Sequence, residues 1–255
     1  MQILEAAPNR FKGIEIDPKA LPKEPDEFRT RLTASLQAWE KEGFKVVWLH
    51  IPVESAILIY VATESGFSFH HAAETYILLT KQLEPDALVP GYATHYIGAG
   101  GVVLNDKKEL LVVSELHRRS ESPYYKLPGG ALHAGEHIAD CVQREIFEET
   151  GVQTLFESLV CFRHWHGYRY GKSDIYFVCR LSPLSADIAI QAEEIEECLW
   201  LPVHDYLASE NVSVFNKHIV KAALESPGVA HMHIDGYSDP ARHEIFMPTG
   251  MSPIQ

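Results

Sequence analysis

The chain has 255 residues, of which 46% are apolar and 22% charged, with a formal net charge of −13. That length holds one large domain or two modest ones, and no apolar run reaches the roughly 18 residues that cross a bilayer. The negative field works against nucleic acid and anionic membranes as partners, so an anionic substrate needs bound cations or a local cluster of Arg, Lys and His.

Residues 11–17 alternate as a strand does, and Pro22 and Pro25 mark a turn. Over 26–42, Phe28, Leu32, Leu36 and Trp39 recur at helical spacing, with Asp26 and Glu27 suited to the helix start and Gly43 to its end. Residues 45–51 read as a strand closed by Pro52, 54–65 as a second helix stopped at Gly66, and 74–83 as a further strand. This alternation predicts an open mixed or antiparallel sheet with helices packed on it. Residues 85–94 contain Pro85, Pro90 and Gly91, and the domain boundary is placed there. The expected division is a leading α/β domain over 1–90, a second domain over 91–227, and an unassigned tail over 228–255 that is rich in His, Pro and Gly. The second domain opens with a strand of small residues over 97–106. A second strand follows over 110–116, with Asn105-Asp106 placed as a hairpin turn between them. The first ten residues hold no apolar stretch of signal-peptide length. Cys141, Cys161, Cys179 and Cys198 form no C-x-x-C pair, which predicts reduced, mostly buried thiols in a cytoplasmic protein.

The chemistry concentrates in residues 130–152. Ile138, Val142 and Ile146 recur every four residues, a helical stripe, and Gly151 is suited to end that helix. Glu145, Glu148 and Glu149 stand at i, i+3 and i+4, which places three carboxylates on one face within a turn. Like charges so placed destabilise a helix unless they are neutralised. Arg144 can pair with one of them, and a hard cation such as Mg²⁺ or Mn²⁺ can bridge the others. Before the helix, Leu127-Pro-Gly-Gly allows close backbone approach and frees a carbonyl to reach a metal. A Glu-rich helix by itself is more often a solvated face. The complete spacing argues otherwise: Gly130, five residues, Glu136, seven residues, then Arg144-Glu-Ile-Phe-Glu-Glu-Thr-Gly-Val.

That pattern matches the Nudix box, and the chain resembles the Nudix hydrolases. The resemblance implies an α/β (α+β) architecture whose C-terminal part is a mixed β-sheet sandwiched between helices. It also implies Mg²⁺- or Mn²⁺-dependent hydrolysis of a nucleoside diphosphate linked to another moiety. On the matching positions, Glu148 and Glu149 would be the principal metal ligands with Glu145 beside them, Gly130 would contribute a carbonyl, Glu136 would be a secondary ligand or a loop support, and Arg144 would orient the glutamates. Residues 35–43, 47–52, 62–67, 69–72 and 171–179 extend the likeness to one subgroup over about residues 10–225. That subgroup contains plant cytosolic ADP-ribose/NADH pyrophosphatases and the animal Nudix protein of the fibroblast growth factor antisense gene. It implies a small leading domain resembling the acetyltransferase fold. No Arg/Gln-x-x-Gly-x-Gly segment precedes a helix here, so acetyl transfer is not expected.

Outside the box, the run from Glu193 to Glu197 resembles the place where many Nudix enzymes carry a general base, and Glu194 or Glu196 is the candidate. Arg163, His164, His166 and Lys172 form the cationic stretch that an anionic substrate requires, and Tyr168 or Tyr170 could stack on a base. Arg118 or Arg119 could meet a phosphate. The expected partner is a small nucleotide, with ADP-ribose or NADH leading, and a homodimer is the expected assembly. The alternatives are a diphosphoinositol polyphosphate or capped-RNA hydrolase, or a non-catalytic nucleotide sensor. An intact box argues against the last.

Overall fold

Along β3 (Val46–Pro52) every second residue is fully buried beneath helix α1 (Pro25–Lys41), whose Phe28, Leu32 and Trp39 lie on the same core. This pair organises the leading unit of a computed structural model that describes residues 2–116 and 124–250. The chain divides into two compact units, Met1–Thr94 and His95–Gln255. The leading unit also contains β1 (Ala6–Pro8), β2 (Gly13–Ile16), α2 (Leu58–Glu64), β4 (Ser68–Ala72) and β5 (Tyr76–Gln82). Its sheet runs β1-β2-β3-β5-β4, with β2 parallel to β3 and the other pairs antiparallel, so it is mixed. The expected first strand is shorter than 11–17, because Lys12 takes the left-handed conformation (φ 54°) just before β2. The edge strands β1 and β4 carry mostly exposed residues, so no apolar alternation announces them.

The second unit comprises β6 (His95–Val103), β7 (Glu109–Glu115), β8 (Gly129–Ala131), α3 (Ile138–Thr150), β9 (Thr154–Arg169), β10 (Lys172–Pro183), β11 (Ile195–Pro202), α4 (Val203–Ala208), α5 (Val214–Glu225), β12 (Val229–His231) and β13 (Phe246–Pro248). A six-stranded sheet runs β13-β12-β9-β10-β6-β8, and β11 pairs with β7 in a second sheet. In the larger sheet β6 and β10 are parallel and the other pairs antiparallel, so this sheet too is mixed. One of its faces carries Ala99, Val103, Cys179 and Leu181 against Val142 and Ile146 of α3. The other carries Val102 and Val178 with Ile219, Val220 and Ala223 of α5 and Tyr206 of α4. The sheet is thus sandwiched between helices, as expected.

The expected hairpin of the two opening strands is corrected. Asn105 N–H donates to the Glu109 carbonyl at 3.1 Å and Leu104 bridges Leu110, but beyond that point β6 and β7 part into different sheets. The small residues of β6 explain the parting. Gly98 and Gly100 lie under the Tyr176 ring and Gly101 lies under Ile146 and Leu181, so neighbours from other elements occupy the space that β6 side chains would fill. Within the tail, β12 and β13 pair with each other, and β12 joins the edge of β9. All four cysteines are free thiols, and burial pushes Cys141 and Cys198 up to about 12. No helix among the described residues is long and apolar enough to cross a membrane.

Candidate active site

Helix α3 buries Ala139, Val142 and Ile146 and ends at Gly151, whose left-handed φ of 72° lets its N–H close on the Phe147 carbonyl. Burial of that stripe turns the acidic residues to the other side. Arg144 organises them. Its Nε and Nη2 donate to the two oxygens of Glu136 at 2.6 and 2.9 Å, and Nη1 donates to Glu145 and Glu148, both at 2.9 Å. A further bond reaches the Ala131 carbonyl at 3.2 Å. The guanidinium holds the Glu136 carboxyl down to about 2, assisted by the His133 backbone N–H. One planar fork therefore ties the loop before α3 to the acidic face of the helix.

Glu149 is held separately. It is only 6% exposed, accepts from the Gly129 N–H at 3.0 Å, and lies 3.7 Å from Lys126 Nζ. Burial lifts its carboxyl to about 7, against the pull of Lys126 and the Gly129 N–H. Lys126 also pairs with Glu115 at 2.5 Å. Burial works against its charge, but Glu149 and Glu115 hold its pKa above the ordinary value. At Gly130 a Cβ would fall on the Glu145 carboxylate, so a side chain there would push that carboxylate from its place beside the β8 backbone.

Glu145, Glu148, Glu149 and the Gly130 carbonyl offer oxygen donors only, a set that fits a hard divalent cation. Here Arg144, Lys126 and the Gly129 N–H engage the carboxylates. Among the described residues no three ligating side chains converge on one point.

Lys126 also lines a cavity of about 660 Å³ whose walls include Tyr124, Arg163, Trp165, Phe215 and Asn216. That volume is typical of small-molecule sites. Arg163 pairs with Asp174 at 2.6 Å, and its guanidinium carbon lies 5.2, 5.7 and 5.4 Å from the ring centroids of Trp165, Tyr176 and Phe215. Cation–π contact holds the charge at the cavity wall without burying it alone.

The cationic stretch read from the sequence is divided by strand geometry, because successive side chains on β9 point to opposite faces. Arg163 and Trp165 share the cavity face. His164 and His166 lie on the other, where His164 Nε2 meets His95 Nε2 at 2.8 Å and His166 Nδ1 meets Ser173 Oγ at 2.9 Å. Lys172 lies over the Tyr96 ring at 5.5 Å, and Tyr168 packs edge-on to Trp165 at 5.2 Å. Tyr170 is 84% exposed. Glu194 is exposed just before β11, and its carbonyl accepts from Leu116 N–H at 2.8 Å, next to the Ile195–Glu115 pair. Glu196 is also exposed, while the neighbouring Glu197 accepts from the Tyr125 hydroxyl at 2.8 Å. Arg118 and Arg119 lie outside the described residues. The sequence reading missed Lys126, Glu115, Trp165 and Phe215. Lys126 alone had an accessible signal, since it immediately precedes Leu127-Pro-Gly-Gly.

Comparison with known proteins gives consistent matches. Residues 4–83 match a family model described as Nudix hydrolase domain, and residues 94–223 one described as NUDIX domain. The chain is 40% identical to Nudix hydrolase 8 of Arabidopsis thaliana over 208 residues, which cover 80% of this chain and 56% of that protein. It is 38% identical to Nudix hydrolase 2 of the same plant, covering 80% and 74% of the two chains. Identity to the human nucleoside diphosphate-linked moiety X motif 6 is 37%, covering 77% and 63%. The chain therefore spans from about half to three-quarters of the length of these relatives. They fit the plant and animal subgroup whose likeness was read from the sequence.

Proposed function

The chain belongs to the Nudix hydrolase family, and we propose that it cleaves the diphosphate bond of a small nucleoside diphosphate linked to another moiety, with ADP-ribose or NADH as substrate. The observation that carries this reading is Lys126, which touches the acidic face of α3 through Glu149 and lines the aromatic, basic cavity. Diphosphate chemistry and base recognition thus meet at one side chain. Glu145, Glu148 and Glu149, with the Gly130 carbonyl, would hold a divalent cation, Mg²⁺ or Mn²⁺. When bound, such a cation supplies Lewis acidity at phosphoryl oxygens and lowers the pKa of water.

The chain's own groups do the rest. Trp165 and Phe215 offer faces for a base or nicotinamide, and Arg163 and Lys126 offset the substrate's negative charge against a chain of net charge −13. Water adds to one phosphorus, the bridging P–O bond breaks, and the departing phosphate carries away the electron pair. Glu194 is the base that takes the water's proton; it adjoins Ile195, which pairs with Glu115, the partner of Lys126, and this nearness along the strand pair supports that role.

Hydrolysis of ADP-ribose, NADH, a diphosphoinositol polyphosphate and capped RNA, each with Mg²⁺ and with Mn²⁺, tests this reading. ADP-ribose should yield AMP and ribose 5-phosphate. Arg163→Ala should raise KM by about tenfold, the loss of one charge-assisted contact, with a smaller change in kcat. Turnover confined to the inositol or RNA substrates, or an unchanged KM in Arg163→Ala, would overturn it.

A further inference from the structure

Helix α3 has no cap of its own. The residue before it, His137, makes no side-chain hydrogen bond to the first turn. Two of its first-turn N–H groups are taken instead by a carboxylate from more than a hundred positions later in the chain. Ile138 N–H donates to one oxygen of Glu244 at 2.7 Å and Ala139 N–H to the other at 2.9 Å. The Glu244 side chain is 6% exposed and has His231 Nε2 3.6 Å away. The segment that delivers it is anchored on both sides. His137 Nε2 meets the Pro240 carbonyl at 2.8 Å, Met232 N–H donates to the Ile245 carbonyl at 2.9 Å, and β12 and β13 bind the segment to the sheet at β9.

We propose that Glu244 is a positioning residue for the catalytic helix. The inference rests on reading α3 as the helix that carries the catalytic carboxylates. Three carboxylates in its last two turns oppose the negative end of the helix dipole, and the last turn contains no basic residue. A buried carboxylate at the N-terminal end offsets that arrangement and supplies two hydrogen bonds. Its grip falls two residues beyond Glu136, the residue that clamps Arg144, and Arg144 in turn holds Glu145 and Glu148. Releasing Ile138 and Ala139 therefore loosens the loop that carries Glu136, and the acidic face loses its fixed spacing.

The test uses the full chain with Glu244→Ala and Glu244→Gln, the second retaining one acceptor oxygen without the charge. In Glu244→Ala the amides of residues 138–142 should exchange about tenfold faster, and Mn²⁺ binding by calorimetry should weaken about fivefold, the order of effect of a lost cap. With ADP-ribose as the assayed nucleotide, kcat should fall about tenfold while KM stays within about threefold, with Glu244→Gln intermediate. If Glu244→Ala does not fold, Glu244→Gln carries the same comparison at reduced size. Unchanged Mn²⁺ affinity and kcat beside a lowered melting temperature would make Glu244 purely structural and overturn the proposal. Should the wild type hydrolyse no nucleotide, the exchange and Mn²⁺ measurements still decide the role of Glu244, while the functional reading fails separately.

Discussion

Replacing Arg144 by methionine removes the cation that, among the described residues, pairs with Glu136, Glu145 and Glu148, while keeping most of the side-chain volume. Arg144 is 23% exposed, Glu136 13% and Glu145 16%, so these contacts are screened only in part, whereas Glu148 at 48% contributes little. Breaking a buried ion pair costs about 3–5 kcal/mol, and an exposed i, i+4 pair about 0.3–0.5. Partial exposure places the Arg144 loss near 3 kcal/mol, or roughly 6–12 °C in melting temperature for a domain of this size. The sign of the metal response then follows. A cation that binds only the native state stabilises it by about 2.7 kcal/mol at a hundredfold excess over Kd. In the variant the carboxylates lose their fixed spacing, as they would on release of Glu244, but they also lose the guanidinium that competes with a cation for Glu145 and Glu148, and this change in charge is the larger effect. Melting is followed calorimetrically in chelator and in Mn²⁺. The wild type should melt higher with Mn²⁺, Arg144→Met should melt lower in chelator, and Mn²⁺ should raise the variant more than the wild type. Arg144→Lys should recover less than half of the loss, since an ammonium cannot span three carboxylates. Equal melting temperatures in chelator, or the same Mn²⁺ shift in both proteins, would refute the reasoning.

Glu148→Gln should lower kcat by at least about 10²-fold with an unchanged circular dichroism spectrum, because the half-exposed side chain supports function more than fold; substantial turnover in the folded variant would show that α3 is not the reaction centre. Gly129→Ala should cost more than about 3 kcal/mol or abolish soluble expression, since Gly129 sits at φ +149° and a Cβ would strike the Ala99 carbonyl and the Gly100 backbone. Chemical denaturation measures it, and near-wild-type stability would contradict the close approach of β8 to β6.

The legible parts of this chain are those whose signal is local. Helix α3 announces itself through Ile138, Val142 and Ile146, and its acidic face through three glutamates within five residues. The β9 cation cluster was misleading for a physical reason. Arg163 and His164 are neighbours in sequence, and the period of two sends them to opposite faces of the sheet. The hairpin expected at Asn105 failed because its turn is real while the glycines of β6 accept the Tyr176 and Ile146 side chains. Phe215 and Asn216 reach the cavity from α5, some fifty residues from Arg163, and nothing in their own neighbourhood marks them.

The unread residues share a logic. A helix with Glu145, Glu148 and Glu149 near its C-terminal end works against its own dipole and against like-charge repulsion. Such an element is stable only where other groups supply the charge that each end requires, positive beside its acidic face and negative at its N-terminus. Arg144 does this from within the helix, Lys126 from the approach to β8, and Glu244 from beyond β12 at the opposite end. Only the first lies inside the motif. A graft of residues 130–152 into another scaffold would carry the acidic face, Glu136 and Arg144, yet leave Glu149 without its lysine and Ile138 and Ala139 without an acceptor. The box therefore specifies which groups could hold a cation. The residues outside it determine whether the helix presents them at a fixed spacing.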